Sequence, residues 1–391
     1  MAARIIFTEE FCQPENLYPF TLTRPIQDIR IGILTIREKW EQSLRFESFD
    51  KNEDDYKNLE QSITIDKKLE EGVYFLIHGN ILPTPKLVKK IKQLKNGECI
   101  SIADQSAVIF RFTKNEISGD NKIKISKAIH LRDVVRCVQF PWQIFELNDS
   151  AIREDFLLIT RKRKSQNIPK HVKRVSASNI FLEKGVVLEH CILNASEGPI
   201  YIGKNAVIMD GAILRGPVSI GEEAVVKMGA KIYGATTIGP KCIVGGEIKN
   251  SVFGDYSNKA HDGYVGNSVI GAFCNLGAGT SNSNLKNNAS TIKVKMPKST
   301  INVGLKCGFF MGDYSRTAIN TSINTGTVVG VCCNIFETGL TPKYIPSFSW
   351  GKEKRYKLLK SFEDIDAWKK LKNLSLEQKE KAILKYIFDN F

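Results

Sequence analysis

The sequence contains no run of about 18 apolar residues, the length that a membrane-spanning helix needs. Its first residues, Met1 to Phe7, lack the apolar stretch and the cleavage site of a signal peptide. The 391 residues, 42% hydrophobic and 25% charged, have an ordinary globular composition that predicts two or three domains. We therefore expect a folded cytoplasmic protein with no membrane partner.

Paired cysteines are also missing. The nine cysteines include no C-x-x-C pair, and only Cys332 and Cys333 are neighbours. Zinc clusters and redox dithiols need closely spaced pairs. The pattern predicts reduced, packed thiols and no metal site.

Acidic residues are absent from one basic stretch. The formal net charge is +14, and residues 161–174 contain seven Lys or Arg residues without an acid. The tail from Thr341 onward adds a surplus of five basic residues, so the rest of the chain is close to neutral. We interpret the stretch as a solvated linker between domains and expect no nucleic-acid partner.

What the sequence does contain is a six-residue repeat. Its first phase consists of the apolar residues Ile202, Ile208, Leu214, Ile220, Val226, Ile232, Ile238 and Val244. A second phase has Val252, Tyr264, Ile270 and Leu276, with a break at Asn258, and a third has Met311, Ile323, Val329 and Ile335, with a break at Thr317. This period fits a three-sided prism with one short strand on each side, and the repeated residues should point inward.

The repeat therefore predicts a parallel β-solenoid. The hexapeptide pattern resembles the left-handed parallel β-helix of the hexapeptide-repeat acyltransferases. That resemblance implies left-handed coils, a homotrimer, and active sites between neighbouring subunits. The polar stretch from Ser281 to Thr300 breaks the rhythm, and we expect it to leave the solenoid as a loop.

The densest polar segments of the solenoid are residues 259–266 and 274–284. They resemble the acetyltransferase half of the bifunctional N-acetylglucosamine-1-phosphate uridylyltransferase/glucosamine-1-phosphate N-acetyltransferase family. The alignment has no gap from Glu247 to Asn284, and it includes the stretch Asn275-x-Gly-Ala-Gly-Thr280. An amino-sugar phosphate and the cosubstrate acetyl-CoA are therefore the small molecules that the resemblance implies.

The same resemblance implies a role for each matching residue. His261 falls on the catalytic base, and Lys249 on a lysine that holds the sugar phosphate. Tyr264 and Asn275 fall on contacts to the sugar phosphate, and Asn284 on an asparagine that helps to bind the substrates. Acyl transfer from a thioester to an amine needs a base for the ammonium proton, and His261 suits that task. A structural histidine in a packed corner is the alternative.

Two positions depart from the family pattern. Ser290 stands where the family has a further phosphate-binding lysine, although Lys286 and Lys293 lie close in sequence. Only Lys227 or Lys231 corresponds to an upstream arginine of the family. Both departures bear on the identity of the acceptor.

The residues before the solenoid predict a Rossmann-like α/β domain. Residues 4–7 and 73–77 predict strands, and residues 85–94 predict a helix. Residues 17–25 resemble the segment that follows the glycine-rich loop of sugar-1-phosphate nucleotidyltransferases, and residues 75–80 resemble their strand before a metal-binding aspartate. The resemblance implies nucleotide-binding positions at Leu17, Tyr18, Arg24 and Asn80.

This domain lacks features of the active nucleotidyltransferases. Residues 8–16 contain no glycine to approach a triphosphate, and Asn80 replaces the aspartate. An amide is a poorer ligand for Mg²⁺ than a carboxylate. We expect a diverged domain with little uridylyl or thymidylyl transfer. It uses Mg²⁺ and a nucleoside triphosphate as substrate only if it is active, and without activity it could still bind a nucleotide or a sugar nucleotide weakly.

The predicted organisation is a nucleotidyltransferase-like domain over residues 1–160, a basic linker over 161–174, the β-helix over 175–340 and a helical tail over 341–391. In the tail, Ser375 to Gln378 predicts a capping box at the start of a helix. We expect the tail to pack on the solenoid.

Three functions follow from this organisation. The leading hypothesis is an acetyl-CoA-dependent N-acetyltransferase in the synthesis of UDP-N-acetylglucosamine. The alternatives are a sugar-1-phosphate nucleotidyltransferase that uses the solenoid for assembly, and a non-catalytic regulatory protein that binds nucleotide sugars. A carbonic anhydrase with this prism needs three histidine ligands, and only His190 and His261 lie on the coils.

Overall fold

The computed structural model describes residues 3–10, 12–50, 69–102, 107–117, 123–131 and 135–391. The chain forms two compact units that alternate along the sequence. The first unit contains Met1–Pro14, Pro25–Ile29 and Leu34–Gln139, and the second contains Glu15–Arg24, Arg30–Ile33 and Phe140–Phe391. Within the described residues, no helix has both the length and the apolar character to span a bilayer.

The first unit is an α/β domain with a six-stranded mixed sheet. Its strands are β1 (Ala3–Thr8), β2 (Ser48–Asp50), β3 (Val73–His78), β4 (Glu98–Ser101), β5 (Ala107–Phe112) and β6 (Lys127–His130), in the order 2-1-3-5-4-6. Strand β1 is parallel to β2 and β3, whereas β5 is antiparallel to β3 and β4. The helices are α1 (Ile36–Leu44) and α2 (Pro85–Ile91), and each begins after a threonine whose hydroxyl accepts a backbone N–H. The predicted strands and helix are confirmed.

The second unit is a parallel β-solenoid with three faces. The first face contains Lys173–Val175, Ile192–Asn194, Ile213–Arg215, Lys231–Tyr233, Glu247–Lys249 and Tyr264–Gly266. The second face contains Ile180–Leu182, Ile200–Ile202, Val218–Ile220, Thr236–Ile238, Val252–Phe253, Val269–Ile270, Phe309–Met311, Thr327–Val329 and Tyr344–Ile345. The third face contains Val187–Leu188, Val207–Ile208, Val225–Val226, Ile243–Val244, Asn258–Lys259, Asn275–Leu276, Arg316–Thr317, Asn334–Ile335, Ser349–Trp350 and Lys354–Arg355.

The first and third phases of the repeat are confirmed as inward-facing core. The first-phase residues from Ile202 to Val244 are at most 1% exposed, and the third-phase residues from Met311 to Ile335 are at most 2% exposed. They belong to one continuous apolar cluster inside the prism. This interior fixes the positions of the polar side chains that point outward from the same strands.

The second phase is wrong by one residue over part of its length. Ile238 pairs with Phe253, Val244 with Lys259 and Ile248 with Val265. The residues Phe253, Lys259 and Val265 therefore point inward, in place of the predicted residues Val252, Asn258 and Tyr264. Between Val244 and Phe253, the segments that connect successive inward residues are shorter than the six-residue repeat. Because side chains alternate along a strand, a shift of one residue moves each side chain to the other side of the strand.

Four helices accompany the solenoid in the second unit: α3 (Pro141–Glu146), α4 (Asn148–Thr160), α5 (Leu358–Lys370) and α6 (Gln378–Asn390). Helix α6 packs in one apolar cluster with the solenoid residues Tyr314 and Val331, as expected for the tail. The predicted cap at Ser375 is wrong, because Glu377 caps α6 in a reciprocal pair with Glu380.

A short segment from early in the chain also packs on the solenoid. The Gly32 N–H donates to Asn148 Oδ1 (2.6 Å), and the Gly32 carbonyl accepts from the Thr237 hydroxyl (2.9 Å). Gly32 has φ +82°, and a Cβ there would collide with Asp155 and Ala151. Only glycine fits this position, so the segment is built to lie against α4 and the second face.

Candidate active site

Lys249 and Tyr264 lie on the last two strands of the first face. Lys249 is in register with Tyr233, and Glu247 with Tyr264. The Lys249 Nζ is 5.4 Å from the centre of the Tyr233 ring, and the Tyr233 hydroxyl donates to Glu247 Oε1 (2.7 Å). This hydrogen bond, together with burial, raises the pKa of Tyr233 to about 12. The face thus presents a cation beside polar groups that are already oriented.

Asn284 joins this group from the segment that follows the solenoid coil. Its Nδ2 donates to the Tyr264 hydroxyl (3.0 Å) and to Asn267 Oδ1 (2.8 Å). Burial, assisted by the Glu247 carboxylate, raises the pKa of Tyr264, so that its phenol stays neutral and keeps a proton to donate. The structure therefore brings three predicted residues, Lys249, Tyr264 and Asn284, to one place.

His261 lies at the corner between the third-face strand Asn258–Lys259 and the first-face strand Tyr264–Gly266, and its side chain is exposed. Gly263, with φ +121°, belongs to the same corner. A Cβ at this position would overlap the carbonyl oxygen of Thr280, so only glycine fits there. The imidazole therefore lies only a few residues before Tyr264, on the rim of the first face. This is a suitable place for a base that must reach a bound amine.

Asn275 lies on the other side of that corner. It belongs to the third face, in register with Asn258 and Arg316. The structure therefore places Asn275 on a different face from Lys249 and Tyr264, with the His261 corner between the two faces.

The polar insertion is more ordered than a simple loop. Ile292–Lys295 and Thr300–Gly304 form an antiparallel hairpin, and Ser281–Asn282 pairs with Ser322–Ile323. The Lys286 Nζ donates to the Thr291 carbonyl (2.6 Å) and lies 3.4 Å from the Ser290 hydroxyl. The Lys286 ammonium thus places a positive charge beside Ser290, the position at which the family pattern has a lysine.

The predicted nucleotide-binding residues belong to different units. Leu17 and Tyr18 are 1% and 2% exposed in the second unit, where the Tyr18 hydroxyl contacts Ser347 Oγ (3.4 Å). Arg24 forms an ion pair with the buried Asp313 carboxylate, to which the Thr23 hydroxyl also donates. Asn80, in contrast, follows β3 in the first unit.

The carboxyl edge of β1, β2 and β3 is acidic. Glu9 follows β1, and its carboxylate accepts the Ile26 N–H. Burial raises the pKa of Glu9, and the nearby Asp50 and Asp28 carboxylates add to this effect. Arg37 donates to Asp28 (2.6 Å) and to Asp50 (2.7 Å). Because Arg37 already holds both of these carboxylates and Asn80 is an amide, the edge does not fit a Mg²⁺ ion.

Three residues near the candidate site escape prediction from the sequence. Tyr233 and Glu247 shape the surface around Lys249. The sequence gives neither of them a role in the site. Lys259 points inward beneath His261, and the shorter corners before it hid its orientation. Its inward place is visible only once the strand register is known.

The fold defines an architecture: an α/β unit with a six-stranded mixed sheet, and a three-faced parallel β-solenoid. Residues 5–164 match the family model described as sugar nucleotidyl transferase. The chain is 38% identical over 91 residues to the bifunctional sugar-1-phosphate nucleotidylyltransferase/acetyltransferase of Sulfurisphaera tokodaii, a match that covers 23% of each chain. It is 34% identical over 101 residues to the bifunctional protein GlmU of Methanocaldococcus jannaschii, which covers 26% of this chain and 25% of that protein.

The chain is thus similar, over separate parts of its length, to a sugar nucleotidyl transferase family model and to bifunctional nucleotidylyltransferase/acetyltransferases. The matches span about a quarter of the length of these two relatives. An Arabidopsis UDP-N-acetylglucosamine acyltransferase is similar over 51% of this chain and 76% of its own, at 14% identity and a TM-score of 0.26.

Proposed function

We propose that this protein transfers the acetyl group of acetyl-CoA to the amine of an amino-sugar phosphate of the glucosamine-1-phosphate type, toward UDP-N-acetylglucosamine. The observation that carries the proposal is the convergence of Lys249, Tyr264 and Asn284 beside the exposed His261 corner. The imidazole can accept the proton, the ammonium can bind the phosphate, and the phenol and the amide can bind the sugar.

Each group has a task that follows from its chemistry. His261 takes the proton that the amine loses as its nitrogen attacks the thioester carbonyl, and the C–S bond then breaks to release the CoA thiolate, which is protonated. Lys249 binds the phosphate as a point charge. The Tyr264 hydroxyl donates, and the Asn284 Oδ1 accepts, hydrogen bonds that orient the sugar ring. Acetyl-CoA enters as cosubstrate, so the protein needs no resident cofactor for this step.

Lys286 supplies the second cation for the phosphate. Its Nζ lies beside Ser290, the position at which the family pattern calls for a lysine. Of the two candidates for the upstream arginine, Lys231 is exposed on the first face in register with Glu247. Lys286 and Lys231 therefore provide the positive charges that the family pattern places at other positions of the sequence.

Lys249→Ala should raise KM for the sugar phosphate by roughly 10- to 100-fold, equivalent to the about 1.5–3 kcal/mol of a hydrogen bond to a charged group. The ammonium contacts a phosphate that carries the same charge in the ground and transition states, so kcat should change less than KM. Steady-state kinetics of thiol release measure both constants. Lys204→Ala, which removes an exposed solenoid lysine paired with Glu222, is the control and should leave KM unchanged. An unchanged KM in Lys249→Ala would remove the residue from the phosphate site.

The proposed assembly is a homotrimer formed along the solenoid. Val187, Val207, Val225 and Ile243 are in register on the outer side of the third face, and Val187 is 49% exposed. A continuous aliphatic ladder on a protein surface marks an interaction site. Light scattering should therefore give three times the chain mass at micromolar concentration, and Val225→Glu should give monomers. A monomeric wild-type protein would contradict the trimer and any active site shared between subunits.

One experiment separates the proposed function from its alternatives. Purified protein is incubated with acetyl-CoA and glucosamine-1-phosphate, and free thiol is followed; a parallel sample receives UTP or dTTP with a sugar-1-phosphate, and pyrophosphate is followed. Thiol release supports the acetyltransferase. Pyrophosphate release alone supports the nucleotidyltransferase, and binding of a nucleotide sugar without either product supports the regulatory protein.

A further inference from the structure

A lysine side chain lies inside the solenoid, directly before the His261 corner. Lys259 continues the inward-facing column of the third face, next to Val244, in a column that contains Leu188, Ile208 and Val226. The residue is 0% exposed. An ammonium group thus occupies a place where the preceding coils have only aliphatic side chains.

The Lys259 ammonium is bound to the backbone of the corner that carries His261. Its Nζ donates to the carbonyl oxygen of His261 and to that of Asp262 (2.9 Å). The Asp262 carbonyl also accepts the Gly279 N–H of the next coil (3.0 Å). The corner is therefore fixed from inside by a side chain and from one side by the neighbouring coil.

Stability does not account for a lysine at this position. Burial lowers the pKa of Lys259 to about 8, which shows that the surroundings disfavour its charge, although the Asp262 carboxylate opposes the effect. Replacement of a complete buried ion pair by well-packed apolar side chains is often neutral or stabilising, which shows how little net stability a buried charge contributes. A leucine, as in the equivalent place on other coils, would fill the column without this cost.

We infer that Lys259 is a positioning residue for His261: it holds the two carbonyl groups of the corner and thereby sets the direction in which the imidazole leaves the backbone. The inference rests on the proposed role of His261 as the base. It does not require Lys259 to touch a substrate, because the lysine acts entirely through the backbone of residues 261 and 262. A base held out of line by about 1 Å costs on the order of 10²-fold in rate.

The kinetic test is Lys259→Met, which keeps the length of the side chain and removes its N–H donors. We expect kcat for acetyl transfer to fall about 10- to 100-fold. KM for both substrates should stay unchanged, because Lys259 does not touch a substrate. Lys259→Gln, which keeps one N–H donor group, should recover part of kcat. Val226→Leu, a substitution in the same inward column two coils away, is the control and should leave kcat unchanged.

A second measurement does not depend on activity. The imidazole resonances of the five histidines are recorded by NMR in wild type and Lys259→Met, and His261 is assigned by its loss in His261→Ala. We expect the His261 signal to shift or broaden, while those of His171 and His190 stay in place. If wild type shows no acetyl transfer but the His261 signal moves, the proposed function fails and the positioning role stands.

Two results would overturn the inference. One is a Lys259→Met protein with wild-type kcat and an unmoved His261 signal. The other is a combined change in both Lys259→Met and Lys259→Gln: a loss of kcat, an equal rise in KM and a fall in melting temperature. That pattern would indicate that the whole coil is loosened.

Discussion

His261→Ala should lower kcat for acetyl transfer by about 10²- to 10⁴-fold, the usual contribution of a general base. The amine must lose a proton as it attacks the thioester, and in the variant no imidazole remains at the corner to accept it. Because the side chain is exposed, its removal leaves no cavity in the solenoid core, and the melting temperature should not change. The measurement is single-turnover thiol release at saturating acetyl-CoA and sugar phosphate.

The chain offers a matched control for this variant. His190 is also exposed and lies two residues after the inward Leu188, as His261 lies two residues after the inward Lys259. His190→Ala should therefore retain full activity. A folded His261→Ala protein with wild-type kcat would eliminate His261 as the base and return it to a structural role.

Pyrophosphate release by the first unit should be slower than in an active nucleotidyltransferase by several orders of magnitude, because positioning and electrostatic stabilisation supply most of the catalysis in this chemistry. Residues 8–16 have no glycine to bring backbone N–H groups to a triphosphate. Glu9 places a carboxylate at the same edge, and Arg37 is engaged by Asp28 and Asp50. Both the triphosphate and its metal therefore meet an unfavourable site.

The assay for this prediction uses the full chain with UTP or dTTP, Mg²⁺ and glucose-1-phosphate or N-acetylglucosamine-1-phosphate. Asn80→Asp, which restores the expected carboxylate, should not restore activity, since the missing glycine loop is a separate loss. Steady pyrophosphate release by wild type that disappears in Asn80→Ala would contradict the prediction and favour the nucleotidyltransferase function.

The solenoid was predictable because its repeat is a property of spacing alone. Residues such as Ile208 and Ile232 recur at a fixed interval, and a prism is the structure that buries them all. The register after Val244 was not predictable, because the length of each corner depends on how the backbone turns between faces. This explains why Tyr264 was expected in the core and is found outside it, and why the inward position of Lys259 was missed.

Contacts that are distant in sequence limited the prediction for the first residues. The segment with Tyr18 and Arg24 resembles a nucleotide-binding segment, yet Arg24 pairs with Asp313, 289 residues later. No local pattern identifies Asp313 as the partner, since its carboxylate receives bonds from Thr23 and from the Ala272 N–H only in the folded unit. Similarity of a short segment therefore indicated its ancestry but not its present contacts.

The alternation of the two units along the chain restricts how the protein can be divided. A fragment that begins at residue 161 lacks Gly32 and Arg24, so that the Thr237 hydroxyl loses its bond to the Gly32 carbonyl and the Asp313 carboxylate loses its ion pair. No single cleavage point yields both units intact. Recombination that exchanged the first 160 residues for those of a relative would succeed only if the incoming segment brought matching residues at 15–24 and 30–33. Any single cut between the two units therefore separates parts of the second unit from one another.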